Sequence, residues 1–206
     1  VRSSAASDVY KRQMQWFNEP EEWSIKGDVL TFRVTPHTDY WRISHYGFTV
    51  DDAPFYYATY GGEFEAKIKI SGDYVARFDQ AGLMLRIDHK NYIKAGIEFV
   101  DGKYNLSAVV THTTSDWSVI ELERPVPFIW LKAVRRLDAV EIFYSFDDRT
   151  YTLMRNAPLQ DNTPVMVGPM AASPDGEGFR VRFEQFKVTH LPDLRRTEWL
   201  KRNAAE

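Results

Sequence analysis

The sequence predicts an all-β domain, a sandwich or a barrel of antiparallel strands. Two observations carry this. Glycine, proline and Asn/Asp clusters interrupt the chain every 8 to 15 residues or so, and β-branched and aromatic residues fill the intervals. Within that pattern, Asp79–Trp117 alternates as three consecutive strands joined by short turns. At 206 residues, with 44% hydrophobic and 15% aromatic content, a single domain can bury a sizeable core and leave rings over for a site.

The strands are expected at about 29–34, 45–50, 55–60, 63–71, 82–88, 92–100, 104–111, 117–122, 128–134, 139–146, 150–155, 164–171 and 179–189. Ser145–Arg155 has the form strand, Asp-Asp turn, strand. In Phe179–Val188, Phe179, Val181 and Phe183 alternate with Arg180, Arg182 and Glu184, which suits a late strand with one buried face. Helical period returns only in Leu194–Ala205, where Thr197 is the expected cap and Trp199 and Leu200 supply an apolar patch.

The central meander can be placed by register. Asp101-Gly102 is a two-residue hairpin turn, which fixes the pairing of its flanks. Phe99 then lies opposite Tyr104, Glu98 opposite Asn105, Gly96 opposite Ser107 and Lys94 opposite Val109. One face is Ile93, Ala95, Ile97, Leu106, Ala108 and Val110, all apolar. The other carries Tyr92, Lys94, Glu98, Asn105 and Ser107. A slip of one residue would drive Lys94 and Glu98 into the aliphatic layer, so the register is firmly set. A three-residue loop, His89-Lys90-Asn91, would bring Asp88 beside Tyr92 and Arg86 beside Lys94. Two neighbouring cations need an anion, and Glu98, Asp88 or a ligand is expected to supply it.

The motifs DQAGLML (79–85), NYIKAGIE (91–98), LSAVVT (106–111) and SDWS (115–118) resemble the "regulation of enolase" family of concanavalin A-like proteins, a domain of unknown function. TDYWR (38–42), HYGF (45–48) and VGPMAASP (167–174) extend the resemblance over Met14 to His190. It implies a concanavalin A-like jelly-roll sandwich of two antiparallel sheets with one concave face. Related sandwiches form the C-terminal module of some xylosidases and the body of legume lectins and many glucanases. The family name points to a regulatory link with carbohydrate metabolism. It supplies no catalytic residues to carry over.

The polar face is therefore the expected site, binding a saccharide or other small polar ligand. Arg86 and Lys94 would donate to hydroxyls or to a ligand anion, and Glu98 and Asn105 would complete the polar set. Tyr92 or Trp117 would stack on a sugar face, with His45 and Tyr46 as wall. Gly82 and Gly96 in the same face favour a site, since a glycine inside a strand marks close approach of a ligand or backbone. A solvated sheet face with ordinary cross-strand ion pairs would look similar. Eight aromatic or imidazole side chains fall within Tyr40–Tyr57. Of these, Trp41 and Phe48 are expected in the sandwich core, and His45, Tyr46 and Tyr57 at a groove wall.

Two other readings stay open. One is a glycoside-active enzyme using Glu98, with Asp88 or Glu141 as second carboxyl; Lys94 and Arg86 would hold Glu98 ionised, which disfavours a proton donor. The other is a protein-interaction module, with Trp199-Leu200 as the contact. No cofactor is expected. No metal is expected either: the five histidines lack ligand spacing, and Asp51-Asp52 and Asp147-Asp148 are commonplace turn formers. The net charge of −3 argues against a nucleic-acid partner, and no apolar run suits a membrane partner. There is no cysteine, which fits a reducing cytosol. Residues 1–13 precede Met14 without strand or helix period and are expected to be foreign to the domain; residues 14–190 form the sandwich and 191–206 a tail. With Met14 as start, a cytoplasmic protein follows.

Overall fold

The computed structural model describes residues 14–160 and 163–203, apart from the side chains of Arg196, Trp199, Leu200, Arg202 and Asn203. The expectations for residues 1–13 and for the Trp199-Leu200 patch lie outside the described residues. The strands are β1 Gln15–Phe17, β2 Trp23–Lys26, β3 Val29–Arg33, β4 Tyr40–Arg42, β5 Thr49–Asp51, β6 Phe55–Tyr60, β7 Phe64–Gly72 and β8 Gln80–Asp88. There follow β9 Asn91–Val100, β10 Lys103–His112, β11 Thr114–Glu121, β12 Ile129–Arg136, β13 Ala139–Ser145, β14 Thr152–Pro158, β15 Val165–Ala172 and β16 Arg180–His190, then helix α1, Leu194–Asn203.

Two seven-stranded antiparallel sheets pack as a jelly-roll sandwich. The first has the order β1-β6-β15-β8-β9-β10-β11 and the second β14-β13-β12-β7-β16-β3-β2, while β4 and β5 pair only with each other. The main core lies between the sheets. From the first come Leu83, Leu85, Ile93, Ile97, Leu106 and Val110, and from the second Phe32, Ile68, Ile70, Leu131, Ile142 and Phe183. The alternation that put these residues on one face is the reason they meet there.

The β9–β10 register is as expected: Glu98 pairs with Asn105, Gly96 with Ser107 and Lys94 with Val109. Asp101 and Gly102 both have positive φ, 50° and 81°, as a primed two-residue hairpin turn requires. The preceding turn differs from expectation. Asp88 pairs with Asn91, Arg86 with Tyr92 and Met84 with Lys94, with a bulge between Arg86 and Asp88. The cause is local. Asp88 accepts the Lys90 N–H at 2.7 Å and the Asn91 side-chain amide at 3.0 Å, which closes the turn one residue tighter. Arg86 therefore does not stand beside Lys94, and Asp88 serves its own turn rather than neutralising either cation.

Two smaller corrections concern ends of elements. The expected strand 45–50 is largely a turn, and the strand lies at β5 with an unanticipated partner, β4. The helix is capped by Asp193 rather than Thr197: Asp193 Oδ1 accepts the Arg195 N–H at 3.0 Å, and the Asp193 carbonyl accepts Thr197 N–H. Thr197 lies one turn inside and returns its hydroxyl to the same carbonyl.

A second, smaller core lies on the outer face of the first sheet. Tyr40 of β4 and Ala53, which follows β5, form a roof over Phe55, Met84, Tyr92, Met170 and Ala172 of the sheet. The β4–β5 hairpin that carries this roof divides the polar face in two.

Candidate functional site

The covered half of the face holds Arg86 and Tyr92. Arg86 forms a two-pronged pair with Asp51 of β5, with Nη2–Oδ2 at 2.8 Å and a second, shorter contact from Nη1 to Oδ1. Its guanidinium lies 4.7 Å above the Phe17 ring. The Tyr92 hydroxyl is buried without a hydrogen-bond partner, and its ring meets Tyr40 edge-on at 6.0 Å. Neither side chain reaches the open part of the face, so Tyr92 is placed as packing rather than as a stacking surface. Asn105 is buried and donates to the Lys103 carbonyl at 3.0 Å.

The other half opens into a cleft of about 310 Å³. Gln80, Lys94, Glu98 and Val109 form its floor, and Trp117 of edge strand β11 closes one side. The Ile43–Phe48 turn at the hairpin tip contributes Tyr46 and Phe48, and the end of β4 adds Trp41. The β7–β8 loop adds Arg77 and Phe78, and the β15–β16 loop Pro174 and Asp175. Trp41 and Phe48 thus line the cleft rather than the sandwich core; Trp41 is buried against Tyr46, at 5.7 Å, and Phe48 is about half exposed. Tyr46 and Phe48 stack on each other at 5.5 Å. His45 stands exposed on the tip, edge-on to Tyr46 at 4.6 Å, and does not line the cleft. Tyr57 stacks on Phe55 along β6, away from the wall.

Of the expected ligand residues, the structure gathers Lys94, Glu98, Trp117 and Tyr46 in the cleft. It places Arg86, Tyr92, Asn105 and His45 outside its lining. Sequence reading missed Asp39 and Gln80. Lys94 Nζ donates to Asp39 Oδ1 at 2.8 Å and to Gln80 Oε1 at 2.7 Å. The anions that offset Arg86 and Lys94 are therefore Asp51 and Asp39, both at the base of the hairpin, and not Glu98 and Asp88. One signal existed: Asp39 and Asp51 flank the aromatic run of the hairpin, in TDYWR and TVDD.

The hairpin is fixed elsewhere too. The Arg42 N–H donates to Ser115 Oγ at 3.0 Å, Arg42 Nε to the Thr113 carbonyl at 2.9 Å, and the Ser44 hydroxyl to the Ser115 carbonyl. At its tip, Ile43 has φ 66° and His45 φ 64°. Positive φ is an outlier for a β-branched residue, and strain of this kind collects at binding and catalytic sites.

Glu98 is the electrostatically distinctive group. Burial raises its pKa from the ordinary 4.5, and the Asp39 charge adds to the rise; the Ser107 hydroxyl, the Lys94 charge and the Trp117 N–H oppose it. The net direction is upward, contrary to the expectation that nearby cations hold Glu98 ionised. Lys94 is already committed to Asp39, and Arg86 lies under the hairpin. The Trp117 indole N–H donates to Glu98 Oε2 at 2.8 Å and approaches Ser107 Oγ at 3.2 Å. Folding thus favours protonated Glu98. That stabilisation is full below about pH 4.5 and is lost as pH rises through the higher folded value. Glu98→Gln keeps an acceptor for Trp117 without a titrating proton. Its Tm relative to wild type is expected to climb as pH increases across that window, in thermal unfolding at a series of pH values. A difference independent of pH would contradict the shift.

A larger hollow of about 600 Å³ lies along Leu122–Phe128 and Phe146, but none of its lining residues is buried. Glu123 and Arg124 are its charged lining residues and both are exposed, so the cleft over β9, with its buried polar floor, is the candidate site. Among the described residues, no cluster of three or more His, Cys, Asp or Glu side chains is arranged to hold a metal ion.

Comparison with known proteins fits this picture. The chain is 36% identical over 177 residues to "Regulation of enolase protein 1" of Saccharomyces cerevisiae (strain ATCC 204508 / S288c), spanning 86% of this chain and 89% of that protein. A crystal structure of a functionally unknown protein from Saccharomyces cerevisiae superposes with a TM-score of 0.84 at 35% identity, covering 88% of this chain and 98% of that one. The GH43 BlXynB protein from Bacillus licheniformis superposes with a TM-score of 0.66 at 16% identity, over 87% of this chain and 37% of that one, and shares the fold alone. The family model "Protein of unknown function (DUF1349)" matches residues 16–191, and the chain belongs to that family.

Proposed function

We propose that the cleft binds a saccharide or sugar derivative, in a cytoplasmic protein with a regulatory role in carbohydrate metabolism. One observation carries the binding reading: five aromatic side chains, Trp41, Tyr46, Phe48, Phe78 and Trp117, surround a floor of amide, ammonium and carboxyl groups. Sugars combine an apolar ring face, which stacks on aromatic rings, with hydroxyls that need both donors and acceptors. Gln80, Lys94, Asp39 and Glu98 offer both. The volume lies at the lower end of the roughly 300–1,000 Å³ of small-molecule pockets, which suits a short ligand. The regulatory part is supported by the name of the yeast relative, and the cytoplasmic part by the cysteine-free composition.

The test is a thermal-shift and calorimetry screen of mono- and oligosaccharides and sugar phosphates. A ligand at 100 times its Kd adds about 2.7 kcal/mol, several degrees in Tm for a domain of this size. Phe48→Ala and Tyr46→Ala are expected to weaken binding about tenfold or more, the loss of a stacking contact of about 1.4 kcal/mol. Both side chains are about half exposed, so Tm without ligand should stay within a degree or two. A well-folded protein that answers to no compound in the screen would refute the saccharide reading.

A further inference from the structure

We propose that this cleft hydrolyses a glycosidic bond, with Glu98 as general acid and Asp39 as general base; the proposal rests on the saccharide reading above and fails separately from it. The structure removes both partners that the sequence offered to Glu98. Asp88 is bound in its own turn, and Glu141 lies on β13 of the other sheet. In their place it supplies Asp39, the residue just before hairpin strand β4.

The two carboxyl groups line one cleft and sit in opposite surroundings. Glu98 has its charged form penalised by burial. Asp39 is ion-paired with Lys94. A buried carboxyl facing an ion-paired one across a single cleft is the arrangement that an acid and its base require. Each is also oriented. Trp117 Nε1 fixes Glu98 Oε2. Asp39 Oδ1 accepts Lys94 Nζ at 2.8 Å, the Tyr40 N–H at 2.7 Å and, at the limit of hydrogen bonding, Gln80 Nε2 at 3.5 Å. Among the described residues Asp39 Oδ2 accepts no hydrogen bond, which leaves it available to a water. Arg77 and Asp175 are the other charged residues of the cleft. Arg77 pairs with Asp101 at 3.3 Å. Lys94, Gln80 and Trp117 are positioning residues in this scheme.

The step balances without a co-reactant. The Glu98 proton passes to the bridging oxygen, and the bond between that oxygen and the anomeric carbon breaks. Water adds to the anomeric carbon, and its proton passes to Asp39. Return of that proton to Glu98 through solvent restores both groups.

The experiment uses the full chain and a panel of 4-methylumbelliferyl glycosides. Binding is measured by calorimetry on Glu98→Gln, and release of the fluorophore is followed for wild type, Glu98→Gln and Phe48→Ala across pH. The expected result is turnover of a glycoside that binds, falling at least about 100-fold in Glu98→Gln with affinity retained. The alkaline limb of the wild-type pH profile, set by loss of the Glu98 proton, should vanish in whatever activity remains. Phe48→Ala should lower turnover as well, placing the activity in the cleft. Glycosides that bind the cleft and are not hydrolysed would overturn the catalytic proposal and leave the binding reading standing. Hydrolysis undiminished in Glu98→Gln would overturn it too. A panel in which nothing binds would remove both.

Discussion

Asp51→Ala is expected to destabilise the protein by about 3–5 kcal/mol, the usual result of stripping one partner from a buried ion pair. The Arg86 side chain is only 5% exposed, and its Nε is already without a partner. Loss of Asp51 leaves a guanidinium sealed between Phe17, Tyr40 and the sheet with its charge uncompensated. Because a domain of this kind has about 5–15 kcal/mol in total, a large part of its stability is at stake. The double variant Arg86→Met, Asp51→Leu should recover most of the loss, since well-packed apolar side chains commonly replace a buried pair at little cost. Urea unfolding of wild type and the two variants measures this. A single-variant loss below about 1 kcal/mol would show that water reaches Arg86 freely.

Gly96→Ala should be at least as damaging, about 3 kcal/mol or more, or prevent folded protein from accumulating. A Cβ at Gly96 would meet the Ala81 carbonyl oxygen at 2.0 Å and the Gly82 Cα at 2.6 Å. At Gly82 it would meet the Ala95 carbonyl oxygen at 1.9 Å. The two glycines face each other across β8 and β9, and the clash is with backbone, which cannot rotate away. Gly61→Ala is the control. Nothing lies within 4 Å of its Cβ, and a neutral or slightly favourable effect of about 0.4–1 kcal/mol is expected. Equal Tm values for the two variants would mean that β8 and β9 separate without penalty.

These glycines also show where sequence reading stops. Their place in the polar face was legible, and so was the need for a close approach. The approaching group is the neighbouring strand, which the alternation of a single strand does not reveal. The β9–β10 pairing was readable because Asp101-Gly102 is a local device that dictates its own register. The β8–β9 turn was not, because Asp88 side-chain bonds chose a tighter turn than residue counting suggested. Most of the site was hidden for a related reason. Periodicity identifies a polar face but not whether it meets water or a roof. The roof arrives with Tyr40, and the counter-charges with Asp39 and Asp51, 55 and 35 residues distant from Lys94 and Arg86. A short hairpin of three-residue strands gives little periodic signal, so β4 passed unnoticed and Trp41 and Phe48 were expected in the main core.

The same hairpin separates what holds the molecule together from what lines the candidate cleft. Its base is anchored by two ion pairs and its flank by Ser115, while the tip closes on itself through the Ile43 N–H to the Phe48 carbonyl and the Gly47 N–H to the Ile43 carbonyl. His45, Tyr46 and Phe48 therefore project from a framework to which their side chains contribute little, as hypervariable loops do on an antibody. That makes the tip a natural place to randomise: a library at these three positions can redirect recognition while the scaffold beneath stays unchanged.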